Sequence, residues 1–159
     1  MGMGQKCLVV VRIRGTVNVR RDVEDTLRML NLVRNCHATL VDDRPSYLGM
    51  LRRAQSILTW GEASKETIAL LLKRRGRTVG NKRLTDDYVK KLGFDSLDAL
   101  AEALYDLKVR LKDLPGVKPV FRLHPPRKGY KGSIKKSYHA GGEAGYRGEA
   151  INDLIRRML

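Results

Sequence analysis

The chain has 159 residues, with 32 Lys and Arg against 17 Asp and Glu, and a formal net charge of +15. Its 42% hydrophobic content can supply a core, but no stretch approaches the roughly 20 apolar residues that cross a bilayer. Such a charge excess repels itself in an isolated compact chain and is neutralised best by a polyanion, most commonly a phosphate backbone, with anionic membrane as the rival.

Residues 7–14, Cys-Leu-Val-Val-Val-Arg-Ile-Arg, are rich in β-branched side chains and predict a strand. Alternation puts Val9, Val11 and Ile13 on one face, and Leu8, Val10, Arg12 and Arg14 on the other. Val23, Leu27 and Leu30 then recur at helical spacing over 22–33, with Asp22 as the expected N-cap. Residues 36–41 predict a second strand, and Ser46 is expected to cap a short helix carrying Leu48, Leu51 and Ala54. Residues 55–60, ending in Trp60, predict a third strand. The first sixty residues therefore predict β-α-β-α-β, with helices on one face of a small sheet.

Ser64, Thr85 and Ser96 each precede a helical pattern. Between the first two lies a basic loop of Lys73, Arg74, Arg75, Arg77, Lys82 and Arg83, with no acid between Glu66 and Asp86. Pro115-Gly116 is a turn, and Val120 to Leu123 predict a short strand. From Pro125 to Gly148 the aliphatic signal falls to little more than Ile134. A closing amphipathic helix over 149–159 carries Ile151, Leu154, Ile155 and Met158, and is expected to dock on the globular part or on a partner.

Residues 125–142 hold five Lys or Arg and no acid, interleaved with Tyr130, Tyr138 and His139. Ordering such a segment costs roughly 1–2 kcal/mol of backbone entropy per residue. It buries too little apolar surface to offset this alone. RNA could supply the difference, because cations meet phosphates and planar rings stack on unpaired bases. Residues 125–148 are thus expected to be mobile when free and ordered when bound. The alternative is a solvated linker, and the closing helix weighs against it.

Catalysis needs a constellation, and none is legible. His37, His124 and His139 are scattered, and His37 in an apolar strand reads as a core histidine. Cys7 and Cys36 sit in apolar runs as small buried hydrophobes; two such residues do not make a zinc site, though a disulfide stays open. Residues 1–6 lack a signal-peptide pattern, so the chain reads as cytosolic. No phosphate-binding Gly-Lys-Ser/Thr loop is present. Gly15-Thr16-Val17-Asn18-Val19-Arg20 is only faintly similar to an acylphosphatase loop, lacking its second glycine and its arginine position. A DNA-binding protein is the other alternative, disfavoured because no helix-turn-helix arrangement appears.

Several segments together resemble one family. Val11-Arg12-Ile13-Arg14-Gly15, Asn18, Thr26-Leu27 and Leu30-Asn31-Leu32 resemble the start of the large-subunit ribosomal protein family L-thirty (universal nomenclature). Gly49-Met50-Leu51-Arg52-Arg53-Ala54 and Trp60-Gly61-Glu62 resemble its second helix and third strand. Phe121-Arg122-Leu123-His124-Pro125-Pro126-Arg127-Lys128-Gly129, Gly141-Gly142 and the closing helix resemble the C-terminal extension of archaeal and eukaryotic-type members. Lys128 departs from the pattern, which favours a second glycine there. The resemblance implies a three-stranded sheet with the first strand central, packed on two helices. It also implies a place in the large ribosomal subunit as a monomer, on large-subunit rRNA near the 5S RNA and beside neighbouring ribosomal proteins. It implies no catalysis, cofactor, metal or membrane contact.

The expected fold class is α+β: a β-α-β-α-β core over 1–62, a helical insertion over 63–118, and a strand, extended basic segment and terminal helix over 119–159. The residues expected to meet RNA are Arg12, Arg14, Arg44, Arg52 and Arg53 around the core; Arg74, Arg75, Arg77, Lys82 and Arg83 in the basic loop; and Arg127, Lys128, Tyr130, Lys131, Lys135, Lys136, Tyr138, His139 and Arg147 in the tail.

Overall fold

The computed structural model describes residues 6–15 and 19–159. The amino-terminal residues 1–5, and Thr16, Val17 and Asn18 of the loop weighed as a phosphate loop, lie outside that description. Strand β1 (Cys7–Arg12) is followed by α1 (Arg21–Met29), β2 (His37–Asp42), α2 (Pro45–Arg53) and β3 (Leu58–Glu62). Then come α3 (Lys65–Arg75), α4 (Asp86–Lys91), α5 (Leu97–Tyr105), β4 (Phe121–Arg122), β5 (Ser133–Ser137), β6 (Gly142–Tyr146) and α6 (Ile151–Met158). The fold is mixed α+β. Among the described residues, one six-stranded sheet runs in the order β4-β2-β1-β3-β6-β5.

β1 lies between β2 and β3, antiparallel to both, with Val10 opposite Thr39 and Trp60. Its alternation separates two cores. Leu8 and Val10 join Leu27, Leu30, Leu51 and Trp60 under α1 and α2. Val9, Val11 and Ile13 face the opposite way, into a larger core with Ile68, Leu71, Leu100, Leu104 and the apolar side of α6. The sheet is therefore covered on both faces, and the second cover comes from segments after residue 63.

Ser64, Thr85 and Ser96 cap α3, α4 and α5, their hydroxyls accepting from the backbone N–H groups of Thr67, Tyr88 and Ala99. Two other caps differ from expectation. Arg20, not Asp22, precedes α1, and Asp22 lies within the first turn, where an acid favours the helix dipole. α2 starts at Pro45 rather than after Ser46, because proline is preorganised for the first helical position.

The larger difference is the segment 125–148. Rather than lacking a core, it supplies β5 and β6, and β6 pairs in parallel with β3 through Thr59–Gly145 and Trp60–Tyr146. Gly142 to Gly145 are buried. Close packing here is achieved by small residues rather than aliphatic ones: a Cβ on Gly142 would lie 2.0 Å from the Lys136 carbonyl oxygen. Likewise, a Cβ on Gly61 of β3 would lie 1.8 Å from the Gly148 carbonyl oxygen, so this turn rests directly on the strand. Hydrophobicity alone cannot reveal packing of backbone on backbone.

Lys128, the departure from the family pattern, has φ 63°, and Gly129 follows at φ 72°. A left-handed conformation costs an L residue roughly 1–2 kcal/mol. Lys128→Gly should therefore stabilise the chain, by about 0.5–1 kcal/mol after glycine's greater unfolded-state entropy is counted. A thermal melt checks this; a lower melting temperature would show that the Lys128 side chain holds the turn.

Candidate nucleic-acid interface

The cations expected to meet RNA fall into three groups on the fold. At the end of β1, Arg14 lines a cleft with Arg20, Arg52, Arg53, Gln55 and Ser56, and no acid lines it. Arg52 and Arg53 are exposed at the C-terminal end of α2, and Arg14 is half-buried. Arg20 is held by exposed Asp22 at 2.8 Å.

The second group is the basic loop. After Gly76 the chain forms a tight excursion in which Arg77 bridges to Arg83 and the Thr78 N–H donates to the Lys82 carbonyl at 2.7 Å. Gly80 and Asn81 at its tip have φ 89° and 61°, and Lys82 and Arg83 are exposed. Arg74 is exposed and Arg75 half-buried at the end of α3. Lys73 instead pairs with Asp98 at 2.9 Å.

The third group is the tail. Arg127, Lys128, Lys131, Lys135 and Lys136 are all exposed, the last two on β5 at the edge of the sheet. Lysines on an edge strand also discourage pairing with another chain. Tyr138 is exposed; its ring lies edge-on to His139 with centroids 6.0 Å apart and takes the Arg147 guanidinium at 5.0 Å.

Four expected contacts are placed otherwise. Arg12 is 1% exposed; its Nε donates to the Arg14 carbonyl and its Nη1 to the Leu32 carbonyl. It lies on the face packed by α1 rather than projecting to solvent. Arg147 is also buried: its Nη2 donates to Glu143 Oε2 at 2.6 Å and its Nε to Thr59 Oγ1 at 2.7 Å. The bond to Thr59 ties the tail to β3, and the ion pair within the tail holds the guanidinium in place for it. Arg44 pairs with Asp42 at 2.9 Å and stacks over Tyr47. Tyr130 packs against the larger core, and burial first, then the nearby Cys36 and Glu143, push its hydroxyl pKa up to about 12. Of the expected cations, only Arg44 and Arg147 form ion pairs among the described residues.

The family model described as Ribosomal protein L30p/L7e matches residues 8–57, from β1 to the residue before β3. The chain is 55% identical to the large ribosomal subunit protein uL30 of Thermofilum pendens, over 95% of this chain and 97% of that one. It is 52% identical to that of Methanopyrus kandleri over 92% and 100%, and 49% identical to that of Ignicoccus hospitalis over 99% and 100%. The chain belongs to the uL30 family.

In this uL30-family chain, Arg34 and Arg122 lie outside the set of cations expected from the sequence to meet RNA. Both are exposed cations without an ion-pair partner among the described residues. Arg122 was legible: Phe121 and Leu123 are buried on either side of it, so alternation turns it outward. Arg34 carries no such signal, because it lies in the loop before β2, outside any alternating pattern.

Proposed function

We propose that this chain is a structural constituent of the large ribosomal subunit that binds and stabilises large-subunit rRNA. Its relatives are named as large-subunit ribosomal proteins, a structural and non-enzymatic family, and the work of that family is done in the cytoplasm. No helix among the described residues is long and apolar enough to cross a membrane. The observation that carries RNA binding is the division of charge. Acids such as Asp42, Asp98 and Glu143 have cation partners within the chain, while Arg52, Arg53, Lys82, Arg83, Lys131, Lys135 and Lys136 remain without one among the described residues. Those free cations lie on the α2 end, the basic loop and the β5 edge, which suits contact with several RNA backbones at once rather than one groove. The position beside 5S RNA and neighbouring ribosomal proteins rests on the family resemblance.

With about six phosphates engaged, log affinity for large-subunit rRNA should fall with log salt at a slope of roughly −4 to −5. Filter binding across a salt series measures this, and a slope near zero would remove the electrostatic account. Structured RNA should also outcompete duplex DNA at equal phosphate concentration; the reverse order would favour a DNA-binding function.

A further inference from the structure

The strand register builds a feature that no segment of the sequence contains. Val11 of β1 faces Ala38 of β2, and Ala38 faces Phe121 of β4; all three side chains enter the larger core. The next residue toward this end of the sheet on each strand is Arg12, His37 and Arg122, with His37 directly opposite Arg122. Alternation turns this trio to the opposite face. An arginine, a histidine and an arginine thus form a row across three adjacent strands, and Arg34 stands in the loop leading into β2.

Such a row is unfavourable by itself, since like charges facing one another across strands destabilise a sheet. No acid answers it. Among the described residues, Arg12, Arg34 and Arg122 form no ion pair; Glu24 of α1, the acid whose charge reaches Arg12, is bonded to Arg28 at 3.5 Å. Two polar atoms are also enclosed there without a partner: Arg12 Nη2 and His37 Nδ1. Native proteins leave few such atoms, and a ligand that belongs at the site is one standard reason. His37 is half-buried, not a satisfied core histidine. Burial, then the charges of Arg122, Arg34 and Arg12, hold its imidazole below the usual range.

We propose that the row Arg12–His37–Arg122, with Arg34, is a phosphate site that receives one phosphodiester of the bound RNA. This rests on the RNA binding proposed above and assigns it a specific contact. Exposed Arg34 and Arg122 donate to the phosphate oxygens. The buried charge of Arg12 lies behind them and is neutralised at a distance. Burial still disfavours the charged ring, but the phosphate's negative charge offsets the field of Arg122, Arg34 and Arg12 and a hydrogen bond to the anion favours the imidazolium, so the ring takes up a proton on binding. The titratable and charged groups around the ring are Arg12 on β1, Arg122 on β4 and Arg34 in the loop, so no carboxylate competes for this role.

Proton uptake makes binding pH-dependent. Affinity rises as pH falls through the interval between the raised His37 midpoint of the complex and the depressed one of the free protein. Filter binding of large-subunit rRNA by the full chain should show affinity rising about threefold or more from pH 8 to pH 6, and His37→Gln should flatten that rise. The double variant Arg34→Gln/Arg122→Gln should lower the salt slope by about 0.7–0.9, the share of one phosphate. A second measurement needs no substitution: inorganic phosphate should move the His37 ring resonances and raise their midpoint, where chloride at equal ionic strength does not. The site is overturned if rRNA still binds but His37→Gln keeps the full pH dependence, or the double variant keeps the full slope, or phosphate and chloride act alike. Failure of the unsubstituted chain to bind rRNA at low salt is a different result and would remove the RNA function itself.

Discussion

Replacing Glu143 with Gln is expected to lower the melting temperature by about 6–20 °C, the equivalent of roughly 3–5 kcal/mol in a chain of this size. The Glu143 and Arg147 side chains are only 5% and 4% exposed. The Gly132 N–H donates to Glu143 Oε1 at 2.9 Å, and the carboxylate's other oxygen accepts from Arg147. Removing the negative charge leaves a guanidinium buried without its counter-ion, and this uncompensated charge is what destabilises. Glu143→Gln combined with Arg147→Met should cost much less than Glu143→Gln alone, because both charges leave together. Equal melting of the single variant and the parent would show that water reaches the pair.

The same pair fixes an acid limb of stability. Burial acts to raise the Glu143 pKa, but the Gly132 N–H, Arg147 and the Lys131 N–H outweigh it, and the net shift is downward. A carboxylate depressed in the folded state contributes stability above its unfolded value, and that contribution is lost as pH falls through the folded one. The parent should therefore lose stability below about pH 4.3, the ordinary glutamate value, more steeply than Glu143→Gln. Chemical denaturation at a series of acidic pH values reads the difference.

Legibility in the sequence follows whether the cause is local. The α+β class, the three side-chain caps at Ser64, Thr85 and Ser96, and the two-faced β1 were all readable, since each depends on residues within a few positions. The tail was misjudged because its packing is non-local and built on small residues. Gly142 and Gly145 carry no hydrophobic signal, yet β6 completes the flank of β3 more than eighty residues earlier in the chain. Arg147 was expected at RNA because it lies in a basic tail, and nothing nearby marks Thr59 as its partner. Arg12, His37 and Arg122 become one row only through strand register, which a single sequence does not disclose.

Leu154→Ala should cost about 2–5 kcal/mol, and ending the chain after Ala150 should abolish cooperative folding of the whole molecule. Ile151, Leu154, Ile155 and Met158 have no measurable exposure and belong to the larger core. α6 is also tied by polar contacts. The Asn152 side chain accepts from the Ser64 N–H and donates to the Glu62 carbonyl, and the His124 N–H donates to the Met158 carbonyl. Without α6, the faces of β3 and α3 that it covers would meet water. Because β1 shares a core with α6, losing the helix should unfold the amino-terminal strands rather than leave them standing. Hydrogen exchange separates the two outcomes. Protection should disappear from β1 and β3 in the truncated chain, whereas retained protection there would make α6 an accessory strap rather than part of the core.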